Sequence, residues 1–176
     1  MKKNKIKRVV VIDFDGTLIN TIGPEDGKPI WKEKTGKDYP HKGWWSKRET
    51  LDIDVFDNQY FEDIKGVYDN AKFEDNTFIS LCTGRITPLK KEVEAILNKH
   101  EFEFDEVVLN GDKRFVVKGR NNDTLTFKLR YFDSLINEFP NIQEFEIFDD
   151  RNEHHEEFVK WGEKQKVPVI VNHVKR

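Results

Sequence analysis

The chain has 176 residues, 36% of them hydrophobic and 36% charged, with 30 Lys and Arg set against 33 Asp and Glu for a net charge of −3. That balance excludes a protein that finds nucleic acid by bulk basicity, and a single cysteine excludes an internal disulfide framework or a cysteine-based zinc site. Leu, Ile, Val and Phe still number 52, above the roughly 20% below which disorder is the default, so one globular domain with a charged surface is expected.

The opening MKKNKIKRVVVIDFDG is basic, as a secretory leader would be, but its apolar run of Val9 to Ile12 stops at Asp13 and is too short for a leader's core. No apolar run approaches the roughly 18 residues that span a bilayer. A cytoplasmic protein, a monomer or small homo-oligomer without membrane contact, is the expectation. Arg8–Ile12 is a continuous β-branched run of the kind buried on both faces in a parallel sheet.

The stretch from Asn20 to Ala71 breaks the pattern. It is rich in Gly and Pro, holds Trp31, Trp44 and Trp45, and has room for a helix at Phe56–Asn70. It reads as an insert, or small cap, folded over the end of the sheet. Beyond it, strands are expected at Thr77–Cys82, Asp105–Leu109, Glu144–Phe148 and Val167–Val171, and helices at Pro88–Asn98, Leu129–Phe139 and Asn152–Lys164. Arg114–Val117 and Leu125–Phe127 read as a β-hairpin joined through Gly119 and Asn121 to Asp123. The alternation predicts a three-layer, doubly wound parallel α/β sheet. A single domain over 1–176 with the insert at 20–71 and no large cap is expected.

In such sheets ligands bind beyond the carboxyl ends of the strands. The first strand is followed by Asp13, Asp15, Gly16 and Thr17, the second by Thr83, Gly84 and Arg85, and the fourth by Asp149, Asp150 and Arg151, while Lys128 opens a helix. Four carboxylates on one rim repel, and a divalent cation is the simplest way to hold them together. One carboxylate can attack phosphorus and a second can move the leaving-group proton, while a lysine, a hydroxyl and magnesium neutralise the phosphoryl oxygens.

These residues resemble the four motifs of the haloacid dehalogenase (HAD) superfamily of phosphohydrolases: DFDGTL, the threonine of LCTGR, Lys128, and FDDR, in that order. The resemblance implies that Asp13 is the nucleophile and a magnesium ligand. It implies that Asp15 is the general acid/base and lends its backbone carbonyl to the metal. Thr83, Gly84, Arg85 and Lys128 would bind the phosphoryl group, and Asp149 and Asp150 would hold the metal, with Asp150 favoured as the direct ligand. A narrower likeness, carried by GKPIWKEKTGKDYPHKGWWSKRETL with TGR and FDDR, is to the HAD domain of Swiss Army knife RNA-repair proteins. The TGR and DDR pair is also similar to the phosphatase half of polynucleotide kinase-phosphatases. Phosphate on nucleic-acid ends or nucleotides is the substrate class implied. No kinase P-loop or ligase signature accompanies it.

Trp44 and Trp45 are candidates for a substrate wall on which a base stacks, or else for the insert's own small core. Lys113, Arg114, Lys118 and Arg120 offer a basic stretch that a solvated hairpin explains as well. His154 and His155 are expected on a solvated helix face, since neighbours on a helix point about 100° apart. Cys82, on an apolar strand, is expected to be buried and inert. Two other functions use the same residues: a phosphotransferase, mutase or phosphatase of sugar phosphates and other small metabolites, and a non-catalytic phosphate- or nucleic-acid-binding module.

Overall fold

The computed structural model of the chain describes residues 3–118 and 123–176. Among them a five-stranded, all-parallel sheet runs β1 (Arg8–Ile12), β2 (Thr77–Ile86), β3 (Glu106–Asn110), β4 (Glu144–Asp149) and β5 (Val169–His173), in the spatial order β3-β2-β1-β4-β5. The helices are α1 (Pro24–Thr35), α2 (Glu62–Phe73), α3 (Lys90–Lys99), α4 (Thr124–Glu138) and α5 (Asn152–Gly162).

Side chains on a strand alternate between its two faces, and β1 divides its apolar residues accordingly. Val10 and Ile12 pack with Ile64, Tyr68 and Ala71 of α2 and with Val93 and Ile96 of α3. Val9 and Val11 pack on the other face with Phe127, Tyr131 and Phe132 of α4 and Phe158 of α5. Each face of the central strand is thus covered by two helices, the doubly wound α/β arrangement expected from the alternation. The sheet order reverses direction at β1, so a crevice opens between the carboxyl ends of β1 and β4.

Several elements differ from the expectation. Leu125–Phe127 are the first turn of α4 and not a hairpin strand: Asp123 caps the helix, its Oδ1 accepting the Thr126 N–H at 2.7 Å. Residues 119–122, the joint of that hairpin and the end of the basic stretch, lie outside the described residues. The expected helix at Phe56–Asn70 begins at Glu62, and its Ile64, Tyr68 and Ala71 belong to the sheet's core. Ahead of it, residues 20–61 hold α1, a short 3-10 turn at Arg48–Leu51 and an aromatic cluster. Two prolines, Pro24 and Pro29, and Gly27 within it hid α1 from the sequence pattern. Gly27 is there for packing, because a Cβ would fall 2.2 Å from Trp44 Cη2.

Candidate active site

Asp13 follows the last residue of β1, its N–H donating to the Phe148 carbonyl at 2.9 Å. The chain then turns tightly: the Leu18 N–H donates to the Asp13 carbonyl at 3.2 Å and the Gly16 N–H to that of Ile19 at 2.9 Å. Gly16 has φ +69°, and a Cβ on it would lie 2.3 Å from Asp150 Oδ2. Glycine is needed there for the left-handed backbone and for the approach of the Asp150 carboxylate.

Lys128 lies on the buried stripe of α4 with Phe127, Tyr131, Phe132 and Leu135. Its Nζ donates to Asp13 Oδ1 and to Asp149 Oδ2, each at 2.6 Å, and the residue is 2% exposed. Asp149 Oδ1 accepts the Arg151 N–H at 2.9 Å. His154, expected on a solvated face, is instead buried, its Nδ1 3.8 Å from Asp149 Oδ1 and its ring against Phe158. The first turn of α5 faces inward at that point. His155 packs its ring on His173 at 5.2 Å, and His173 Nε2 lies 3.2 Å from the Asp150 carbonyl oxygen.

Burial pushes the Asp13 carboxyl up to about 7, the attraction of Lys128 offsetting only part of that rise and the neighbouring Asp149 adding to it. Burial alone would lower the Lys128 ammonium, but Asp13 and Asp149 hold it above its ordinary value. Asp150 is raised by burial and by Asp149. Carboxylate oxygens of Asp13, Asp149 and Asp150 lie within 4.8 Å of one another. With all three carboxyls ionised, the single ammonium among them leaves a local charge of about −2, with only oxygen donors, and this suits a small divalent cation.

The expected phosphate ligands divide. Gly84 and Lys128 line a cavity of about 250 Å³ together with Asp13, Asp15, Asp150 and Trp45. Thr83 is fully buried, absent from that wall, and its Oγ1 accepts the Arg85 N–H at 3.0 Å. β2 slips register against β3 between Thr83 and Ile86, and this bulge turns Gly84 and Arg85 toward the cavity. Arg85 lines it too, but its donors are turned to protein. Nε and Nη2 hold Asp15 Oδ1 at 3.0 and 2.7 Å, and Nη1 donates to the Trp45 carbonyl at 2.7 Å and Thr50 Oγ1 at 3.0 Å. Arg85, expected as a phosphate ligand, is thus on the cavity wall but paired with Asp15.

Of the two expectations for Trp44, substrate wall or the insert's own small core, its surroundings fit the core. The residue is 5% exposed, its Nε1 donates to the Ile22 carbonyl at 2.8 Å, and its ring packs on Tyr39 and Phe56. Trp45 is 48% exposed and on the cavity wall. Cys82 is buried, and burial pushes its thiol far up, away from reactivity. Arg114 is paired with Glu106 and Asp112 at 2.6 and 2.7 Å.

Sequence reasoning missed Thr21, whose Oγ1 donates to Asp15 Oδ1 at 2.8 Å, and Thr124 on the cavity wall. It also missed Arg176, which stacks 3.6 Å from the Phe61 ring centroid and donates from Nη2 to the Thr17 carbonyl at 3.1 Å. No local pattern marks these residues, because each acts across a long sequence gap or from a segment without periodicity.

Residues 28–174 match the model of a family described as HAD domain family 1 in Swiss Army Knife RNA repair proteins. The chain belongs to this family. Its membership supports hydrolase chemistry of the phosphatase type. No curated protein sequence matches the chain. Among solved structures, a chain of the Pnkp1/Rnl/Hen1 complex superposes with a TM-score of 0.57 at 16% identity over 97% of the HAD domain, which spans 46% of that chain, less than half its length. The HAD domain of effector protein Lem4 from Legionella pneumophila gives 0.54 at 19% identity, covering 97% of this chain and 87% of that one. A HAD-superfamily hydrolase, subfamily IA, variant 1, from Geobacter sulfurreducens gives 0.52 at 14%, covering 96% and 87%. At these identities the superpositions speak for the shared fold. Among the described residues no helix is long and apolar enough to cross a membrane.

Proposed function

We propose that the HAD domain is a magnesium-dependent phosphomonoester hydrolase working through an aspartyl phosphate on Asp13, with phosphorylated nucleic-acid ends or nucleotides as substrates. The observation that carries this reading is the placement of Asp13. It is a buried carboxylate fixed by Lys128, gathered with Asp149 and Asp150, and it shares a cavity with Asp15.

An Asp13 carboxylate oxygen attacks phosphorus as the bond from phosphorus to the ester oxygen breaks, and the protonated Asp15 carboxyl gives its proton to that leaving oxygen. The Asp15 carboxylate then takes a proton from water, whose oxygen attacks phosphorus. The bond from Asp13 to phosphorus breaks, and inorganic phosphate leaves with both carboxyls restored. Lys128 Nζ, already on Asp13 Oδ1, is placed to stabilise charge on the transferring group. Magnesium held by Asp13, Asp149 and Asp150 would supply further charge neutralisation and orientation of the phosphoryl oxygens. Arg85 and Thr21 hold Asp15 Oδ1 and so fix the acid.

The substrate class rests on the family's RNA-repair description and on an insert of modest size beside the cavity. The test is phosphate release from 3′- and 5′-phosphorylated oligonucleotides, mononucleotides and sugar phosphates. Asp13→Asn and excess chelator are each expected to abolish turnover, and Asp15→Asn to abolish it while phosphate still binds. Undiminished release in chelator or from Asp13→Asn refutes the mechanism, and sugar phosphates winning by a wide margin refutes the substrate class.

A further inference from the structure

Two adjacent tryptophans diverge at the cavity. Trp44 turns inward and anchors the insert, while Trp45, 48% exposed, stands on the wall shared with Asp13 and Asp15. An indole half open to water on the wall of the cavity, on a peptide its neighbour fixes, offers a face on which a flat ring can stack. One guanidinium connects it to the chemistry. Arg85 Cζ lies 5.0 Å from the Trp45 ring centroid, its Nη1 holds the Trp45 carbonyl, and its Nε and Nη2 hold Asp15. Arg85 is 2% exposed and is fixed further by Thr50 Oγ1.

We propose that Trp45 is a platform for the nucleobase next to the scissile phosphate, and that Arg85 ties this platform to Asp15, so that stacking a base also places the acid. The proposal rests on the phosphatase reading above and adds to it the group that selects the substrate. A flat, polarisable ring stacks on indole whatever its sequence. The polar edge of a base, and the hydroxyls of its sugar, find partners in Thr21, Thr124 and Arg151 on the same wall. A tyrosyl phosphate would offer the ring without that edge. Arg85 is in this view a positioning residue, acting on the reacting atoms through Asp15.

The test compares oligonucleotides, identical except that the phosphorylated terminal residue carries adenine or is abasic, made with the phosphate at the 3′ or the 5′ end. The adenine-bearing end is expected to have a kcat/KM about 10-fold higher, the size of one stacking contact. Trp45→Ala should bring that ratio to about 1, and Trp45→Phe should keep part of it. Arg85→Lys should confine the remaining advantage to KM, because a lysine cannot hold Asp15 and the Trp45 carbonyl in one plane. A ratio unchanged by Trp45→Ala overturns the platform, as does a phosphotyrosine peptide hydrolysed faster than either end. A kcat advantage that persists in Arg85→Lys overturns the link to Asp15. Should the protein release no phosphate from any ester, the phosphatase reading falls separately. The platform is then judged by calorimetric binding of adenosine monophosphate against ribose 5-phosphate, and it fails if Trp45→Ala leaves the two affinities in the same proportion.

Discussion

Lys128 is a charge carried into a wall of aromatic rings, and its burial is tolerable only because Asp13 and Asp149 each accept a 2.6 Å hydrogen bond from it. Removing it as Lys128→Met leaves two buried carboxylates facing one another, so a loss of about 3–5 kcal/mol in urea unfolding is expected, together with loss of turnover. The same cluster sets a pH dependence. The folded-state Asp13 carboxyl, at about 7, lies above its ordinary value of 3.8, so the folded protein binds that proton more tightly than the unfolded chain. Without metal, stability should therefore fall as pH rises from about 4 to about 7. Lys128, held above its ordinary value, stays charged in both states over that range and adds no slope. A cation binds the deprotonated carboxylates, so magnesium should raise Tm more at pH 8 than at pH 5. Equal shifts at the two pH values would show that the carboxylates are not its ligands. Lys128 was also readable at this scale. It was legible by its place in the order of the four motifs, whereas the apolar stripe it shares with Tyr131, Phe132 and Leu135 shows only once α4 is seen to begin at Thr124. The threonines at 21 and 124 carry no such mark.

At the scale of elements, what the sequence disclosed followed regular periodicity, and what it hid depended on a local break. β1, α3 and α5 were legible because their apolar residues repeat at strand or helix spacing. α1 was not, with proline and glycine inside it, and the first turn of α4 was mistaken for a strand because Leu125, Thr126 and Phe127 also fit an alternating pattern. β2 runs on to Ile86 past the end expected at Cys82, through a bulge that only pairing with β3 reveals. That bulge brings β2 against the start of α4. A Cβ on Gly84 would fall 2.8 Å from Thr124 Cγ2, so in Gly84→Ala either the Thr124 side chain or the turn that carries it must shift. A destabilisation of about 1–3 kcal/mol is expected for Gly84→Ala by overpacking. In a Thr124→Ala background the obstructing atoms are gone and the loss should shrink, with a coupling of about 1 kcal/mol across the double-mutant cycle. Additive losses would mean that the strain of Gly84→Ala lies in the backbone and not in this contact.

For the molecule as a whole, the order β3-β2-β1-β4-β5 matters more than any single motif. It puts Asp13 at the end of the strand where the winding reverses and Asp149 at the end of its neighbour, so residues 136 apart in sequence meet across one crevice. The charge of the chain then bears on how a polymer could reach that crevice. A net charge of −3 gives no general attraction for a polyanion. Among the described residues, two of the three cations on the cavity wall are already engaged, Lys128 with two carboxylates and Arg85 with Asp15, which leaves Arg151 for the terminal nucleotide. If the substrate is a nucleic-acid end, recognition should therefore reside in its terminal nucleotide, with little contribution from the phosphates behind it. Each phosphate neutralised on a single strand contributes about −0.7 to the slope of log affinity against log salt. The HAD domain is expected to show a slope in log kcat/KM of about −1 or shallower, nearly the same for a trinucleotide and for a strand of about 15 nucleotides. A slope steeper than about −3 that grows with strand length would instead place several backbone phosphates on the protein, and would move the search for the binding surface away from the cavity to the lysines of the insert.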